Sequence, residues 1–520
     1  MSPNQSQDSQ DIETATTAIL PSPLWAASGQ AALESSRILV ISASATSTSI
    51  LKNLVLPGIG HFTILDPQVA SHEDIGNNFF LEGLDSLGKP RAEEAVRLLC
   101  ELNDSVEGKA NLSSLEEVLE KDPTYLTSFT LIIAHNLKLP LLTKLSTFLW
   151  SKKHGPSLMI VRSAGFLAEF FIQFHEHTVV DSHSETAPSL RIDKPFKALH
   201  DHAVSINFDS LDDMEHGHVP YVVILVQAME NWKAKHGGPP QAYAEKQEFK
   251  KSVEAMRRKI DEENFDEAFA QAYRAWTPTT VPSDIAALFN DDALQQPLTS
   301  LPTHSAIFFH LVAALKKFTS ESPYTLPLSS TLPDMKADTN SYIHLQTLYK
   351  QQAEVEKARF KSLIGPELVI DDDTIDEFVR NVHGLRLLRG KPFGAFDRDQ
   401  AALVAALSAT PKEVATHLAL SALSVVLAQG SSKDVTAVRL RSEVNAITGP
   451  FEWPEDAELN LGNALGELAR APTAELPNTA ALLGGLVAQE AIKIITRQYV
   501  PVKGYCVIDL IGSWTGTIDG

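Results

Sequence analysis

Three serines, Ser42, Ser44 and Ser47, fall at the spacing at which a nucleotide-binding loop carries its glycines. They follow the apolar run RILVI and lead into the helix-forming stretch ATSTSILKN. In a strand–turn–helix unit this is where a GxGxxG loop brings backbone close to a pyrophosphate and sets a helix N-terminus against it. A serine side chain in each slot fills space that a phosphate oxygen would need, and the stretch also reads as a Ser/Thr turn whose hydroxyls cap the next helix. Asp66, 24 residues beyond Ser42 and closing the run GHFTILD, stands where a ribose-binding acid would be, although an Asp after a strand is common in loops.

Other side chains could do different chemistry. HEHTVVDSH gathers His175, His177, Asp181 and His183, and EHGHVPY adds Glu215, His216 and His218. His175 and His177 would share a face of a strand, so zinc is conceivable, but without a CxxC or a helical HxxxH the expectation is a solvated rim and no metal. The two cysteines, Cys100 and Cys506, sit in an amphipathic helix and a strand-like run, where a thiol behaves as a small buried hydrophobe. Gly484 and Gly485 lie inside a helical pattern; close packing on a sheet is the preferred reading over a second phosphate loop. DDDTIDEF is an Asp-rich helix start, stabilised by the helix dipole, and also an acidic surface.

The elements that position these groups are legible in outline. RILVI, GHFTILD, FTLIIAH and PSLMIVRS alternate with amphipathic stretches such as RAEEAVRLLCELN, which predicts a parallel sheet with helical crossovers. GFLAEFFIQFHEH adds a further strand. From about 185 to 470 the pattern is helical: Phe249, Val253, Met256 and Ile260 predict one helix, Phe265, Phe269, Tyr273 and Trp276 a second, and SAIFFHLVAALKKF, SYIHLQTLYKQQAEVEKARFKSLI, TIDEFVRNVHGLRLL and PKEVATHLALSALSVVLAQG four more. After about 475 a helix apolar on nearly all sides and the strand GYCVIDL return to α/β character. The expected division is a polar lead-in over 1–18, a Rossmann-like domain over 19–170 and 475–520, and a mainly helical insertion over 171–474.

At 520 residues the chain is long enough for about two or three domains, and a formal charge of −21 argues against nucleic acid or an anionic membrane as partner. Two cysteines, no signal-peptide pattern at the start and no long uncharged apolar run fit a reducing compartment, cytoplasmic and nuclear, with no membrane span.

Four stretches, LWAASGQAALESS, ILKNLVLPGIGHFTILD, EDIGNNFFL with LGKPRAEEA, and AALLGGLVAQEAIKIIT, resemble the adenylation domain of ubiquitin-like-modifier-activating enzymes. GNNFFL, RIDKPFKALHDH, DEENFDEA and LPDMKADTNSYIHLQTLY resemble the regulatory-subunit branch that serves neddylation, and the likeness runs over nearly the whole chain from about residue 24.

That resemblance implies an ATP site here that has lost its groups. The family's acidic pair falls on Asp66 and Gln68, its Asn-Arg-Gln run on Gly76, Asn77 and Asn78, and its downstream base on Arg91, while the catalytic Asp is missing near His135 and Asn136. Ser42, Ser44, Ser47, Asp66, Gln68 and Asn77 then form a degenerate site with no catalytic residue and no bound cofactor, and the helical insertion is a pseudo catalytic-cysteine domain. The basic segment that opens family subunits reads AILPSP, Ala18 to Pro23, without a basic residue. The implied role is that of a regulatory subunit in a heterodimer whose catalytic partner uses Mg-ATP to adenylate the ubiquitin-like modifier, capture it as a thioester and pass it on toward cullins. His218 and the stretch bearing Pro333, Asp334, Met335, Asp338, Tyr342 and Ile343 would meet that partner. The acidic surface makes the modifier or its conjugating enzyme a further candidate partner. The competing expectation is a self-sufficient adenylating enzyme or a Rossmann oxidoreductase.

Overall fold

In the computed structural model the described residues are 27–183, 189–297, 303–366, 369–449 and 453–519. The lead-in and the segment from Ala18 to Pro23 lie outside them. The chain forms two compact units, one of Met1–His175 with Gly390–Gly520, the other of Glu176–Arg389.

The first unit is α/β, built on β1 (Arg37–Ile41), β2 (His61–Leu65), β3 (Glu107–Asn111), β4 (Leu131–His135), β5 (Ser157–Ala164) and β6 (Leu167–Gln173). The second unit supplies β7 (Glu176–Val179) and β8 (Arg386–Arg389), and the first unit then resumes with β9 (Tyr505–Asp509) and β10 (Trp514–Ile518). Across the large sheet the order is β10-β9-β6-β5-β4-β1-β2-β3. The run β3-β2-β1-β4-β5 is parallel, and β6, β9 and β10 are antiparallel. β1 and β4 are apolar almost throughout because helices cover both sides of the sheet.

Strand alternation sorts the two faces. Leu39 and Ile41 of β1, Ile132 and Ala134 of β4 and Leu158 and Ile160 of β5 share a core with Leu418, Ala422 and Val426 of the Pro411–Gln429 helix and Leu461 and Leu465 of the Glu455–Arg470 helix. The intervening Ile38, Val40 and Ile133 are equally buried on the opposite side, where Ala45–Val55 and Pro477–Thr496 pack together. The Pro477–Thr496 helix is long and apolar enough by composition to cross a membrane. Here it is a core helix, with Leu483, Val487 and Ala491 fully buried and Glu490 accepting from Lys493 and from the Val502 N–H.

The expected insertion over 171–474 is therefore too long at both ends. β6 crosses its start, and the helices from Ala395–Arg398 to Glu455–Arg470 belong to the first unit, because their apolar stripes close over the sheet.

The second unit, Glu176–Arg389, is mainly helical, with β7 and β8 as an antiparallel ribbon. Tyr221–His236 is buried nearly all round, and Phe249, Phe265 and Tyr349 pack with it. A second cluster joins Phe308, Phe309, Phe360 and Phe378. Two helix expectations change here. The helix holding Phe249 ends at Glu254, which leaves Ile260 92% exposed, and TIDEFVRNVHGLRLL divides into the helix Asp372–Asn381 and the strand β8.

Candidate functional site

In a doubly wound sheet, ligands bind at the carboxyl ends of the strands where the order reverses, here the crevice between β1 and β4. The turn after β1 lies there. Ser42 holds a φ of +90°, a backbone that glycine adopts freely and a serine does not, and its N–H donates to the Leu65 carbonyl. Ser44 caps the Ala45–Val55 helix, its Oγ accepting from the Ser47 N–H at 3.2 Å, with the Ser47 hydroxyl 3.1 Å away. The same Ser44 Oγ lies 2.7 Å from Nδ1 of His135 at the end of β4, whose Nε2 is 2.9 Å from the Ser163 hydroxyl. A line of hydrogen bonds thus crosses the crevice from β1 to β5.

The charged groups around it are matched within the chain. The Asp66 carboxylate accepts from the Ala43 N–H (2.6 Å), the Gln68 N–H (2.9 Å) and Arg91 Nε (2.6 Å). Arg91 also donates to Asp74 (2.9 Å) and to the Ser42 hydroxyl (3.3 Å). Asp74 is held below the usual carboxylate range: burial would raise it, but hydrogen bonds from Ser71 and the Arg91 guanidinium outweigh that. Asn78 is buried and bridges the Thr48 hydroxyl and the Ala43 carbonyl, while Asn77 donates to the Glu475 carbonyl at 3.0 Å.

Glu475 is the residue that the sequence did not point to. It sits just before the Pro477–Thr496 helix, and its Oε1 accepts from the Thr46 N–H at 2.6 Å, in the first turn of Ala45–Val55. A carboxylate therefore lies where a helix N-terminus would otherwise present N–H groups to a phosphate. Its pKa is lowered: burial opposes ionisation, and His135 3.7 Å away, the Thr46 amide and hydroxyl and the Ser44 hydroxyl more than compensate. Burial holds the His135 imidazole below its own ordinary value. The crevice as it stands joins the Glu475 carboxylate, the His135 imidazole and a closed Asp66–Arg91–Asp74 ion group. Of the residues singled out from sequence, Ser42, Ser44, Ser47, Asp66 and Asn77 come together here. Gln68 contributes only its backbone, since its N–H and carbonyl bond Asp66 and Arg91 while the residue is exposed.

No family model matches the chain. It is 35% identical over 504 residues to the NEDD8-activating enzyme E1 regulatory subunit of Xenopus laevis, covering 92% of this chain and 93% of that protein. The chain belongs to the family of NEDD8-activating enzyme E1 regulatory subunits. The protein of the same name from Gallus gallus is 34% identical over 505 residues, with 92% and 93% covered, and the regulatory subunit AXL of Arabidopsis thaliana 30% over 513, with 92% and 94% covered.

The other residues singled out in this regulatory subunit fall as follows. In the second unit the Asp338 N–H donates to the His218 carbonyl at 3.4 Å, and both stretches line an open depression of about 620 Å³ with Asp213, Lys259, Glu263 and Lys336. Pro333, Asp334 and Ile343 are exposed. Asp338 caps the Thr339–Leu363 helix, Tyr342 is half-buried, and Met335 is largely a core residue at 8% exposure. The histidine clusters disperse: His175 stacks on Trp150 with ring centres 3.9 Å apart, Asp181 lies 3.3 Å from His183, and His216 is buried 2.8 Å from Glu262. Among the described residues no three His, Cys, Asp or Glu side chains are gathered to hold a metal. Cys506 is buried, with its thiol pushed up to about 12 by burial, and Cys100 is half-buried and raised for the same reason. Gly484 faces Ser49 so closely that a Cβ there would lie 2.2 Å from the Ser49 Oγ, which makes the glycine a helix-packing device.

Proposed function

We propose that this regulatory subunit is the non-catalytic half of a two-chain activating enzyme for NEDD8. In this reading a separate catalytic subunit uses Mg-ATP to adenylate the modifier and carries it as a thioester toward a conjugating enzyme, while this chain contributes the frame against which that subunit works. The observation that carries the reading is the carboxylate of Glu475 on the Thr46 N–H, together with the Asp66–Arg91 pair. A triphosphate entering the crevice would meet a fixed negative charge and would have to break both contacts. A self-sufficient adenylating enzyme or an oxidoreductase needs that helix N-terminus open, so this geometry disfavours both. Cytoplasm and nucleus are the proposed compartments, and the depression beside His218 is the proposed meeting place with the catalytic subunit.

The test is ATP–pyrophosphate exchange in the presence of modifier, measured on the purified chain and again after mixing with a catalytic subunit. Exchange is expected only in the mixture. Substantial exchange by this chain alone would end the proposal.

A further inference from the structure

Two stretches of the second unit, TPTTVP over 277–282 and LPLS over 326–329, carry prolines, which hold the backbone extended and keep it out of a helix. With residues 189–193 and the end of the Asp372–Asn381 helix they wall a cavity of about 340 Å³. Its floor is apolar, since Leu190, Ile192, Leu328 and Val382 all line it and are all buried. A volume of this size, with an apolar floor and a few polar groups above it, is the form that small-molecule sites take.

The charges nearest the floor are matched within the chain. Glu356 accepts from the two terminal nitrogens of Arg191 at 2.6 and 2.7 Å. Asp193, the one carboxylate among the lining residues, accepts from the Thr279 N–H at 2.6 Å and from the Thr279 hydroxyl. Two lining guanidiniums are not matched. Arg274 donates through Nε to the Gln271 side-chain carbonyl at 2.7 Å and lies 5.5 Å from the Tyr273 ring centre, but meets no carboxylate among the described residues. The Arg380 side chain, in the last turn of Asp372–Asn381, has no hydrogen bond or ion pair with any described residue. Carboxylates are not scarce in this chain, where 65 Asp and Glu stand against 44 Lys and Arg, so two unmatched guanidiniums beside one cavity do not follow from composition.

We infer that this cavity binds a small organic acid, its apolar body on Leu190, Ile192, Leu328 and Val382 and its carboxylate accepting from Arg274 and Arg380. The planar guanidinium fork suits a carboxylate, with charge-assisted hydrogen bonds to both oxygens. An inorganic anion would leave the apolar floor unfilled, and a neutral apolar molecule would leave both guanidiniums unanswered. The site lies wholly within the second unit and stands apart from the crevice of the first, so its failure would leave the regulatory reading untouched.

The experiment titrates the full-length chain with hydrocinnamate, an aromatic ring on a short carboxylate chain, and with hydrocinnamide, its neutral counterpart, by calorimetry and saturation-transfer NMR. Saturable binding of the acid at one site is expected, with the amide weaker by about tenfold or more, the share of a charge-assisted hydrogen bond. Arg380→Gln, at an exposed position with no partner to lose, is expected to weaken the acid by about tenfold and to leave the amide unchanged. Arg274→Gln is expected to do the same, and if that variant does not fold, Arg380→Gln decides alone. The inference is overturned if the wild type shows no saturable binding, if acid and amide bind equally, or if Arg380→Gln binds the acid as tightly as the wild type.

Discussion

Ser42 carries two opposed demands. The turn after β1 needs the left-handed backbone that the glycine of a nucleotide loop provides, and Ser42 holds it at φ +90° with a side chain attached. Such a conformation costs on the order of 1–3 kcal/mol, while a glycine gives back about 0.5–1 kcal/mol through the greater freedom of the unfolded chain. Ser42→Gly is therefore expected to stabilise the protein by about 1 kcal/mol, seen as a higher urea midpoint at unchanged slope. A lower midpoint would mean that the 3.3 Å contact from Arg91 to the Ser42 hydroxyl outweighs the strain. The spacing of Ser42, Ser44, Ser47 and Asp66 was readable in the sequence because each is local to one strand–turn–helix unit. Glu475 was not, since the amide it binds is 429 residues away and nothing in PTAELPN marks its carboxylate as a ligand for a distant helix end.

The same limit holds for elements. β1, β2, β4 and β5 announce themselves as apolar runs because both faces are covered. β3, EGKAN, is an edge strand whose Glu107 and Lys109 are both exposed; charge protects such an edge from pairing and also hides it from a search for apolar runs. β8, RLLR, merges with the apolar pattern of the helix before it, and β10, WTGTI, pairs only at the sheet margin. Helix packing was better foretold, and the adjacent glycines of Pro477–Thr496 separate its causes. Gly484→Ala pushes a methyl into Ser49 and is expected to destabilise by about 1–3 kcal/mol. Gly485→Ala has open space and is expected to stabilise by about 0.5–1 kcal/mol through helix propensity. Melting curves of the two variants should move in opposite directions; a shared direction would remove the packing explanation for Gly484.

At the scale of the molecule, the chain leaves the first unit after His175 and re-enters it at Gly390. Sequence placed the re-entry near 475, because the helices of 395–470 have the same amphipathic texture as those of the second unit, and texture does not say which layer a helix covers. What fixes the returning segment is partly ionic and lies beneath an apolar pattern. His417, within ATHLAL of the Pro411–Gln429 helix, is fully buried between Glu169 of β6 at 2.8 Å and Asp397 at 2.7 Å. Arg162 of β5 donates to Glu169 at 2.5 Å and to the hydroxyls of Ser421 and Ser424, and Tyr505 packs 4.2 Å from the His417 ring centre. Burial would depress the imidazole, but Glu169 and Asp397 override it and lift the pKa to about 9. Because this folded value lies above the ordinary 6.5, the stabilisation is complete below pH 6.5 and is lost as pH rises through 9, a span on the order of 3 kcal/mol. Urea denaturation from pH 6 to 9.5 should therefore show His417→Gln far less stable than wild type at the acidic end, with the gap closing toward pH 9.5. Subtracting the two curves isolates His417 from the other titrating groups, and Arg162 keeps Glu169 partnered in the variant. A gap constant with pH would mean that the helix is held by shape alone and that the imidazole is neutral in its place.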